Sequence, residues 1–289
     1  MVCSINWNID PIIFNLGGLQ LRYYGILFVL GLVVSYFIVK KIYIKENVTI
    51  KELEKLSMFV IIGGLVGARV GHCLFYEGEY YTKDFLSFTE IFIPIKFKPE
   101  FQFVGYQGLA SHGGAIGVII SLLIFKFFSV KKSFFWLMDR VVVPTGFAGA
   151  CIRFGNLFNS EIYGHNTNLP WGFNFFKDED WYKIYGALPC HPTQLYEALF
   201  YILTSVILIF LYKKEQLRNA KGFLFGIFLL LIFCFRFFIE YLKNRQVDFE
   251  KTMFLNMGQI LSLPFIFLAI VLIIVSLKRN NKKANISLS

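Results

Sequence analysis

Hydrophobic residues fall in long runs that are separated by short polar segments. A helix needs about 20 mainly apolar residues to cross a bilayer, and seven runs are close to that length. They comprise residues 19–39, 57–76, 109–128, 134–158, 193–212, 222–242 and 256–277. The pattern therefore predicts an all-α integral membrane protein whose single domain is a seven-transmembrane-helix bundle.

Lysines and arginines are distributed unevenly between these runs. Most of them lie in alternate loops, around residues 40–55, 126–140, 213–221 and 278–283. Cytoplasmic loops carry an excess of such residues, which places the N-terminus outside and the C-terminus in the cytoplasm. Segments 77–108 and 159–192 are then external, and we expect them to form a small head over the bundle. Residues 278–289 are expected to be a disordered cytoplasmic tail.

The composition favours a membrane protein over a nucleic-acid-binding protein. Hydrophobic residues make up 56% of the chain, whereas soluble domains contain about 45–50%. The net charge of +10 arises in short loops, where topology explains it, so we expect no nucleic-acid partner. The five cysteines show no metal-ligand spacing, and no metal is expected. One disulfide between Cys3 and Cys190 is conceivable.

Two arginines interrupt apolar runs: Arg153 in residues 134–158 and Arg236 in residues 222–242. A charge at bilayer depth costs about 2.5–3.5 kcal/mol, so it needs a partner, a water-filled cavity or a ligand. A guanidinium group presents a planar fork of donors that suits phosphate oxygens. The two arginines therefore predict a buried anion site, for which phosphate is the natural ligand.

Polar residues accompany both arginines. Asn156 shares a helix face with Arg153, and Glu161 follows where the helix leaves the membrane. We interpret this group as an anion-binding lip; the alternative is a structural hydrogen-bond network between helices. Glu240 is spaced to pair with Arg236 within one helix. That pair could be self-sufficient, or it could hold Arg236 in position for a phosphate.

His112 opens the glycine-rich sequence HGGAIG, residues 112–117. Imidazole titrates near neutral pH, so His112 is a candidate proton acceptor. The alternative is a hydrogen-bonded core histidine. The adjacent glycines permit close approach of a ligand or of another helix, which favours the functional interpretation.

Several other polar positions are interpreted as structural. In the run HPTQLYEAL, residues 191–199, three polar residues recur every three positions and so face a similar direction: His191, Gln194 and Glu197. We interpret them as a scaffold for the external head. Arg69 is interpreted as a structural embedded charge. A helix-packing face is predicted where small residues recur every four positions, at Gly63, Gly67 and Gly71.

With these residues identified, the chain resembles the bacterial prolipoprotein diacylglyceryl transferase family along nearly its whole length. Each matching stretch is short, but seven of them in order are specific. They are LRYYG (21–25), GARVG (67–71), SHGGAIG (111–117), RFGNLFNSEIYG (153–164), HPTQLYE (191–197), FRFFIE (235–240) and MGQILSLP (257–264).

The resemblance implies a multi-pass enzyme of the bacterial inner membrane whose site and head face the periplasm. Such an enzyme transfers the diacylglyceryl group of phosphatidylglycerol to the lipobox cysteine thiol of a preprolipoprotein and releases glycerol 1-phosphate. The implied partners are phosphatidylglycerol, the preprolipoprotein signal peptide and membrane lipids, and no cofactor is implied.

The resemblance also implies roles for individual residues. The expected catalytic residues are His112, Arg153, Arg236 and Glu240. The expected phosphatidylglycerol-binding residues are Tyr24, Arg153, Asn156, Glu161, Gly164 and Arg236. On this reading, His112 assists deprotonation of the thiol, and Arg153 and Arg236 bind the phosphate.

The chain departs from the family pattern at two places. After the sixth run, many family members show an aromatic-aromatic-Arg-Gln-Pro sequence, whereas this chain reads YLKNRQV. Lys243 or Arg245 could substitute for the missing arginine. Some members carry a tyrosine at the position of Ile232, so no catalytic tyrosine is assigned on that helix.

Two other function classes stay open at this point. A transporter for an anionic solute would use the same arginines without covalent chemistry. A lipid-binding or assembly factor would bind phosphatidylglycerol without releasing glycerol phosphate.

Overall fold

The protein is described by a computed structural model that covers residues 4–16, 19–93, 95–97, 101–103, 110–128, 132–186, 188–243 and 254–286. Most of these residues are helical. The helices are α1 (Tyr23–Lys45), α2 (Ile50–Phe75), α3 (Gly78–Tyr81), α4 (Phe85–Thr89), α5 (Ser111–Phe128), α6 (Phe134–Phe158), α7 (Glu179–Tyr185), α8 (Thr193–Lys213), α9 (Glu215–Asn219), α10 (Phe223–Ile239) and α11 (Met257–Ile286). A 3₁₀ turn, Glu240–Leu242, extends α10.

Within the described part of the chain, six helices are long and apolar enough to cross a membrane. They are α1, α2, α6, α8, the combined α10 and 3₁₀ turn, and α11. A further apolar helix, His112–Phe128, is shorter. A multi-pass helical membrane protein is thus confirmed, whereas the seventh span stays a prediction.

The predicted ends of the helices differ in accuracy. Helix α6 begins and ends where the apolar run 134–158 does. Helix α2 begins at Ile50 instead of residue 57, because the Thr49 side chain caps a polar first turn by accepting from the Glu52 amide at 3.3 Å. Hydropathy alone does not detect such a turn.

Two further boundaries were wrong. Residues 19–22, assigned to the first span, form a strand, and α1 begins only at Tyr23. The tail after residue 277, expected to be disordered, continues α11 as far as Ile286. Lysine, arginine and alanine are good helix formers, so the helix extends beyond its apolar part.

The part of the chain that the structure describes also contains six short strands, which the all-α reading did not predict. They are β1 (Ser4–Trp7), β2 (Ile12–Leu16), β3 (Leu19–Arg22), β4 (Ile95–Lys96), β5 (Gln102–Phe103) and β6 (Gly172–Phe175). β1 pairs in parallel with β6, whereas β2–β3 and β4–β5 are antiparallel pairs.

The chain divides into two compact units: Met1–Val39 with Met138–Ser289, and Lys40–Leu137. We call them the first and the second unit. The boundaries fall inside α1 and α6, so these helices contribute residues to both.

In the second unit, α2 and α5 pack through glycines. A Cβ atom on Gly67 or Gly71 would collide with the backbone of Gly113, and one on Gly63 would collide with Ser121 and with the Gly117 carbonyl oxygen. The predicted packing face is therefore confirmed, since only glycine permits this helix separation.

In the first unit, a small apolar core supports the segment between α6 and α8. It consists of Leu157, Tyr163, Phe173, Phe175, Trp181 and Cys190. Cys190 is a free thiol inside this core, and burial raises its pKa to about 12. Cys3, the other cysteine of the conceivable disulfide, lies outside the described residues.

Candidate functional site

The centre of the candidate site is Glu197, a fully buried carboxylate on α8. Its Oε2 atom lies 3.2 Å from Nε of Arg153 on α6. Its Oε1 atom accepts a hydrogen bond of 3.0 Å from Nζ of Lys243, directly after the 3₁₀ turn. One carboxylate therefore joins two cations from different elements.

The ion pairs continue beyond Lys243. Its Nζ atom also lies 3.7 Å from Oε1 of Glu240, and the same Oε1 lies 3.7 Å from Nη2 of Arg236. The predicted pairing of Arg236 with Glu240 is confirmed. We call the series Arg153, Glu197, Lys243, Glu240 and Arg236 the charged network.

Exposure is lowest at Glu197 and increases from it toward both ends of the charged network. The Glu197 side chain has no accessible surface, whereas those of Arg153 and Arg236 are 16% and 33% exposed. The network contains three cations and two carboxylates, and so carries one excess positive charge when all five groups are ionised. Its ends are consequently the places where an anion can be bound.

A series of amide and carboxylate side chains extends from Arg153 at the end of α6. Its Nη1 atom donates to Oδ1 of Asn156 at 3.3 Å, as the shared helix face predicted. Asn156 Nδ2 donates to Oε1 of Glu161 at 2.7 Å, and Asn159 Nδ2 donates to the same oxygen at 3.3 Å. Glu161 is therefore held by two amides and is connected to Arg153 through Asn156.

Tyr24 packs at the same end of α6. A Cβ atom on Gly155 would lie 2.6 Å from Cδ2 of the Tyr24 ring, so glycine permits the ring to lie against the helix backbone. Tyr24 is also close enough to Glu161 and Arg153 for electrostatic interaction. The predicted residue is thus a neighbour of the arginine site.

Gly164 lies where three segments of the chain meet. It forms a β-bridge with Lys243, and its amide donates to the His191 carbonyl oxygen at 2.9 Å. A Cβ atom here would collide with the Leu242 carbonyl oxygen and with Thr193. The structure thus gives Gly164 a packing role, and its predicted part in lipid binding stays a prediction.

The first unit brings together most of the predicted site residues. They are Tyr24, Arg153, Asn156, Glu161, Gly164, Arg236 and Glu240. His112 belongs to the second unit, where it is exposed in the first turn of α5. Its role as a base stays a prediction from the sequence.

Two members of the charged network were not assigned from the sequence. Glu197 was interpreted as a scaffold residue, although a carboxylate within an apolar run needs a partner for the same reason as an arginine does. Lys243 and Arg245 were given as alternatives for the missing family arginine, and Arg245 lies outside the described residues. Tyr201 on α8 was also missed: it hydrogen-bonds Arg153 and lies within electrostatic range of Arg236.

Within the described ranges, no group of three or more histidine, cysteine, aspartate or glutamate side chains could hold a metal ion. The side chains of the site present guanidinium, ammonium, carboxylate, amide and phenol groups.

Comparison with known proteins gives a consistent result. The family model described as "Prolipoprotein diacylglyceryl transferase" matches residues 11–275. The phosphatidylglycerol–prolipoprotein diacylglyceryl transferase of Bacteroides fragilis is 43% identical over 272 residues, covering 93% of this chain and 94% of the relative.

Two further relatives carry the same name. The protein of Porphyromonas gingivalis is 42% identical over 283 residues, with 95% of each chain covered. That of Tolumonas auensis is 39% identical over 272 residues, covering 94% of this chain and 97% of the relative. This chain is therefore a multi-pass membrane enzyme that belongs to the prolipoprotein diacylglyceryl transferase family.

Proposed function

We propose that this enzyme transfers the diacylglyceryl group of phosphatidylglycerol to the lipobox cysteine of a preprolipoprotein. The names of its relatives support these substrates. The observation that carries the proposal is the charged network, which ends in a partly exposed arginine on each side. Two such arginines suit a lipid phosphate that approaches from the membrane.

The charge of the network supports a phosphodiester as the ligand. Phosphatidylglycerol carries one negative charge on its phosphate, and the partly exposed guanidinium groups of Arg153 and Arg236 are the cations of the network that it can reach. Arg153 and Arg236 would bind the phosphate oxygens, because guanidinium groups present several donors in a planar arrangement. Glu240 would keep Arg236 oriented toward the phosphate.

The reaction is a displacement at carbon. The thiolate sulfur attacks the glyceryl carbon that carries the phosphate ester, and a carbon–sulfur bond forms as the carbon–oxygen bond breaks. The electron pair of the broken bond stays on the phosphate oxygen, which leaves as glycerol 1-phosphate. Because negative charge grows on the departing phosphate, fixed cations beside it lower the barrier.

The thiol must lose its proton before it attacks. A free cysteine has a pKa of about 8.5, so a base or a positive field is required. We propose His112 as the base. In the same proposal the polar head group is bound by Asn156, Glu161 and Tyr24. Gly164 allows the backbone beside it to pack closely against the segment that ends in Lys243. The reaction as written needs no metal or cofactor.

The proposal includes the orientation of the enzyme in the membrane. It places the enzyme in the bacterial inner membrane with seven spans, of which α5 is the seventh. The N-terminus and segments 77–108 and 159–192 would be periplasmic, the latter two as head and arm segments. Residues 278–289 would be cytoplasmic.

One experiment separates the proposed reaction from its rivals. The purified enzyme is incubated with phosphatidylglycerol and a lipobox peptide, and the peptide is examined by mass spectrometry. We expect a diacylglyceryl adduct on the cysteine together with glycerol phosphate, and no adduct on a peptide in which serine replaces that cysteine. Lipid binding without an adduct would contradict the proposal in favour of an assembly factor, and solute flux without an adduct would favour a transporter.

A further inference from the structure

We propose that Thr193 and Gln194 are positioning residues for the transfer reaction. They hold two consecutive carbonyl groups of residues 159–164, which we call the signature loop. By doing so they direct the Glu161 carboxylate toward Asn156 and, through it, act on Arg153. The inference rests on the proposed function and adds the means by which the site is kept in its reactive geometry.

The signature loop has an unfavourable backbone that something must hold in place. Ser160 and Ile162 adopt positive φ angles of 55° and 61°. This region is rarely adopted by residues with a side chain, and for a β-branched residue such as Ile162 it is a genuine outlier. Such conformations persist only where the surrounding structure enforces them.

The first two residues of α8 supply that restraint. Gln194 Nε2 donates to the carbonyl oxygen of Glu161 at 2.7 Å, and Thr193 Oγ1 donates to the carbonyl oxygen of Ile162 at 2.9 Å. Both donors belong to fully buried residues. Water cannot readily replace them, so the loop depends on these two hydrogen bonds.

The orientation of Glu161 follows from this restraint. The Glu161 amide donates to the Asn156 carbonyl oxygen at 3.1 Å, while its own carbonyl is held by Gln194. Its side chain is thereby directed back to the Asn156 amide, whose oxygen accepts from Arg153. If the loop relaxed, Asn156 would lose its carboxylate partner and Arg153 would lose an aligned acceptor.

Helix α8 therefore determines the position of Arg153 by two routes. Thr193 and Glu197 are four residues apart and lie on the same face of the helix. Glu197 binds Arg153 directly, whereas Thr193 and Gln194 act on it through the signature loop. The run HPTQLYE is in this view a positioning element of the site, and its scaffold role serves the arginine.

The chain offers a matched set of variants to test this inference. Thr193→Val removes the hydroxyl at nearly constant shape, and Thr193→Ser restores it. Thr204→Val is the control, because Thr204 is equally buried on the same helix but donates to Phe200 within α8, at 3.0 Å. We expect Thr193→Val to lower the kcat of adduct formation at least about tenfold, because small misplacements of a reactive group have large effects on rate. Thr193→Ser and Thr204→Val should stay within about twofold of wild type.

A combination with Glu161→Gln distinguishes positioning from a general loss of stability. If Thr193 acts through Glu161, adding Thr193→Val to Glu161→Gln should lower kcat little further. Should Thr193→Val fail to fold, Gln194→Met replaces it in the same scheme. Equal losses in Thr193→Val and Thr204→Val, or losses that multiply with Glu161→Gln, would overturn the inference. Wild-type activity in Thr193→Val would overturn the positioning role alone, whereas a wild-type enzyme that forms no adduct would overturn the proposed function and this inference with it.

Discussion

Two arginines within membrane helices of this enzyme have different surroundings. In the second unit, Arg69 is 6% exposed and donates to the carbonyl oxygens of Glu90 and Ile91 at 3.2 and 3.3 Å, and to the Tyr81 hydroxyl at 3.1 Å. In the first unit, Arg153 forms an ion pair with a carboxylate that it shares with Lys243, and it keeps more of its surface accessible.

The difference separates a structural arginine from one that can bind a ligand. Arg69 binds main-chain groups that follow α4, so it holds that segment against α2. Arg153 belongs to a network whose cations outnumber its carboxylates and whose far end, Arg236, is a third exposed. Both arginines lie in helices that are long and apolar enough to cross a membrane, and only their partners and exposure indicate what each one does.

The largest effect that this contrast predicts is on turnover. Arg153→Ala should lower the rate of adduct formation about a hundred- to a thousandfold, as expected when one charge-stabilising donor is lost. Arg69→Met should leave the rate per folded molecule within about threefold of wild type. The same variant should lower the free energy of unfolding by about 1–3 kcal/mol, because buried carbonyl groups lose their hydrogen-bond donor. The measurements are adduct formation and unfolding in detergent. A hundredfold slower but fully folded Arg69→Met enzyme would remove the contrast.

The buried carboxylate of the network gives a second test. Glu197→Gln should lower the free energy of unfolding by about 3 kcal/mol, because Arg153 and Lys243 lose a shared partner in a buried position. Glu52→Gln is the matched control: its pair with Lys55 is at the surface, so the change should be below about 1 kcal/mol. Both are measured by equilibrium unfolding in mixed micelles. Equal stability of the two variants would show that the network carries no buried charge pairing.

Sequence patterns found the parts of this site that are local along the chain. Arg236 with Glu240, and Arg153 with Asn156, lie within one helical turn of each other, and the structure contains both contacts. Hydropathy likewise located α6 at both ends. Periodicity and spacing contain this information because helix geometry fixes which neighbours share a face.

The centre of the site depends on contacts between segments that are distant along the chain. Glu197 meets Arg153 and Lys243 only after α6, α8 and the end of α10 have packed, and no local spacing encodes that. The strand at residues 19–22 was missed for a different reason: its pairing with β2 is local along the chain, but its apolar residues were read as the start of the first span. The positive φ angle of Ile162 could not be anticipated either, because isoleucine is unfavourable in that conformation and its carbonyl group is held by Thr193, which is distant along the chain.

Lys243 provides a third, smaller test, because its ammonium group pairs with both carboxylates of the charged network. Lys243→Met should slow adduct formation at least about tenfold, since one partner of a buried charge pair is removed. Lys243→Arg should retain most of the activity, because the positive charge between Glu197 and Glu240 is kept. Activity assays on both variants decide this. Wild-type turnover in Lys243→Met would limit the functional network to its two arginines.

The smallest expected effect is the pH dependence of stability that His191 contributes. Burial, and secondarily His165, lowers the pKa of His191 below its ordinary value of 6.5. The folded state therefore favours neutral His191, so its contribution to stability is present above about pH 6.5 and is lost as the pH falls through the folded pKa. Between about pH 7.5 and 5, the unfolding temperature of wild type should fall more than that of His191→Gln. Parallel pH profiles would contradict this.

The central claim is that Arg153 and Arg236 bind one phosphate, and a double-mutant cycle on the rate of adduct formation tests it most directly. Arg153→Ala, Arg236→Ala and the double variant are compared with wild type under saturating phosphatidylglycerol. Residues that act as a unit have strongly non-additive effects. The account predicts that the double variant is no more than about threefold slower than the slower single variant. Losses that multiply would mean that the two arginines act independently, and would contradict a shared phosphate.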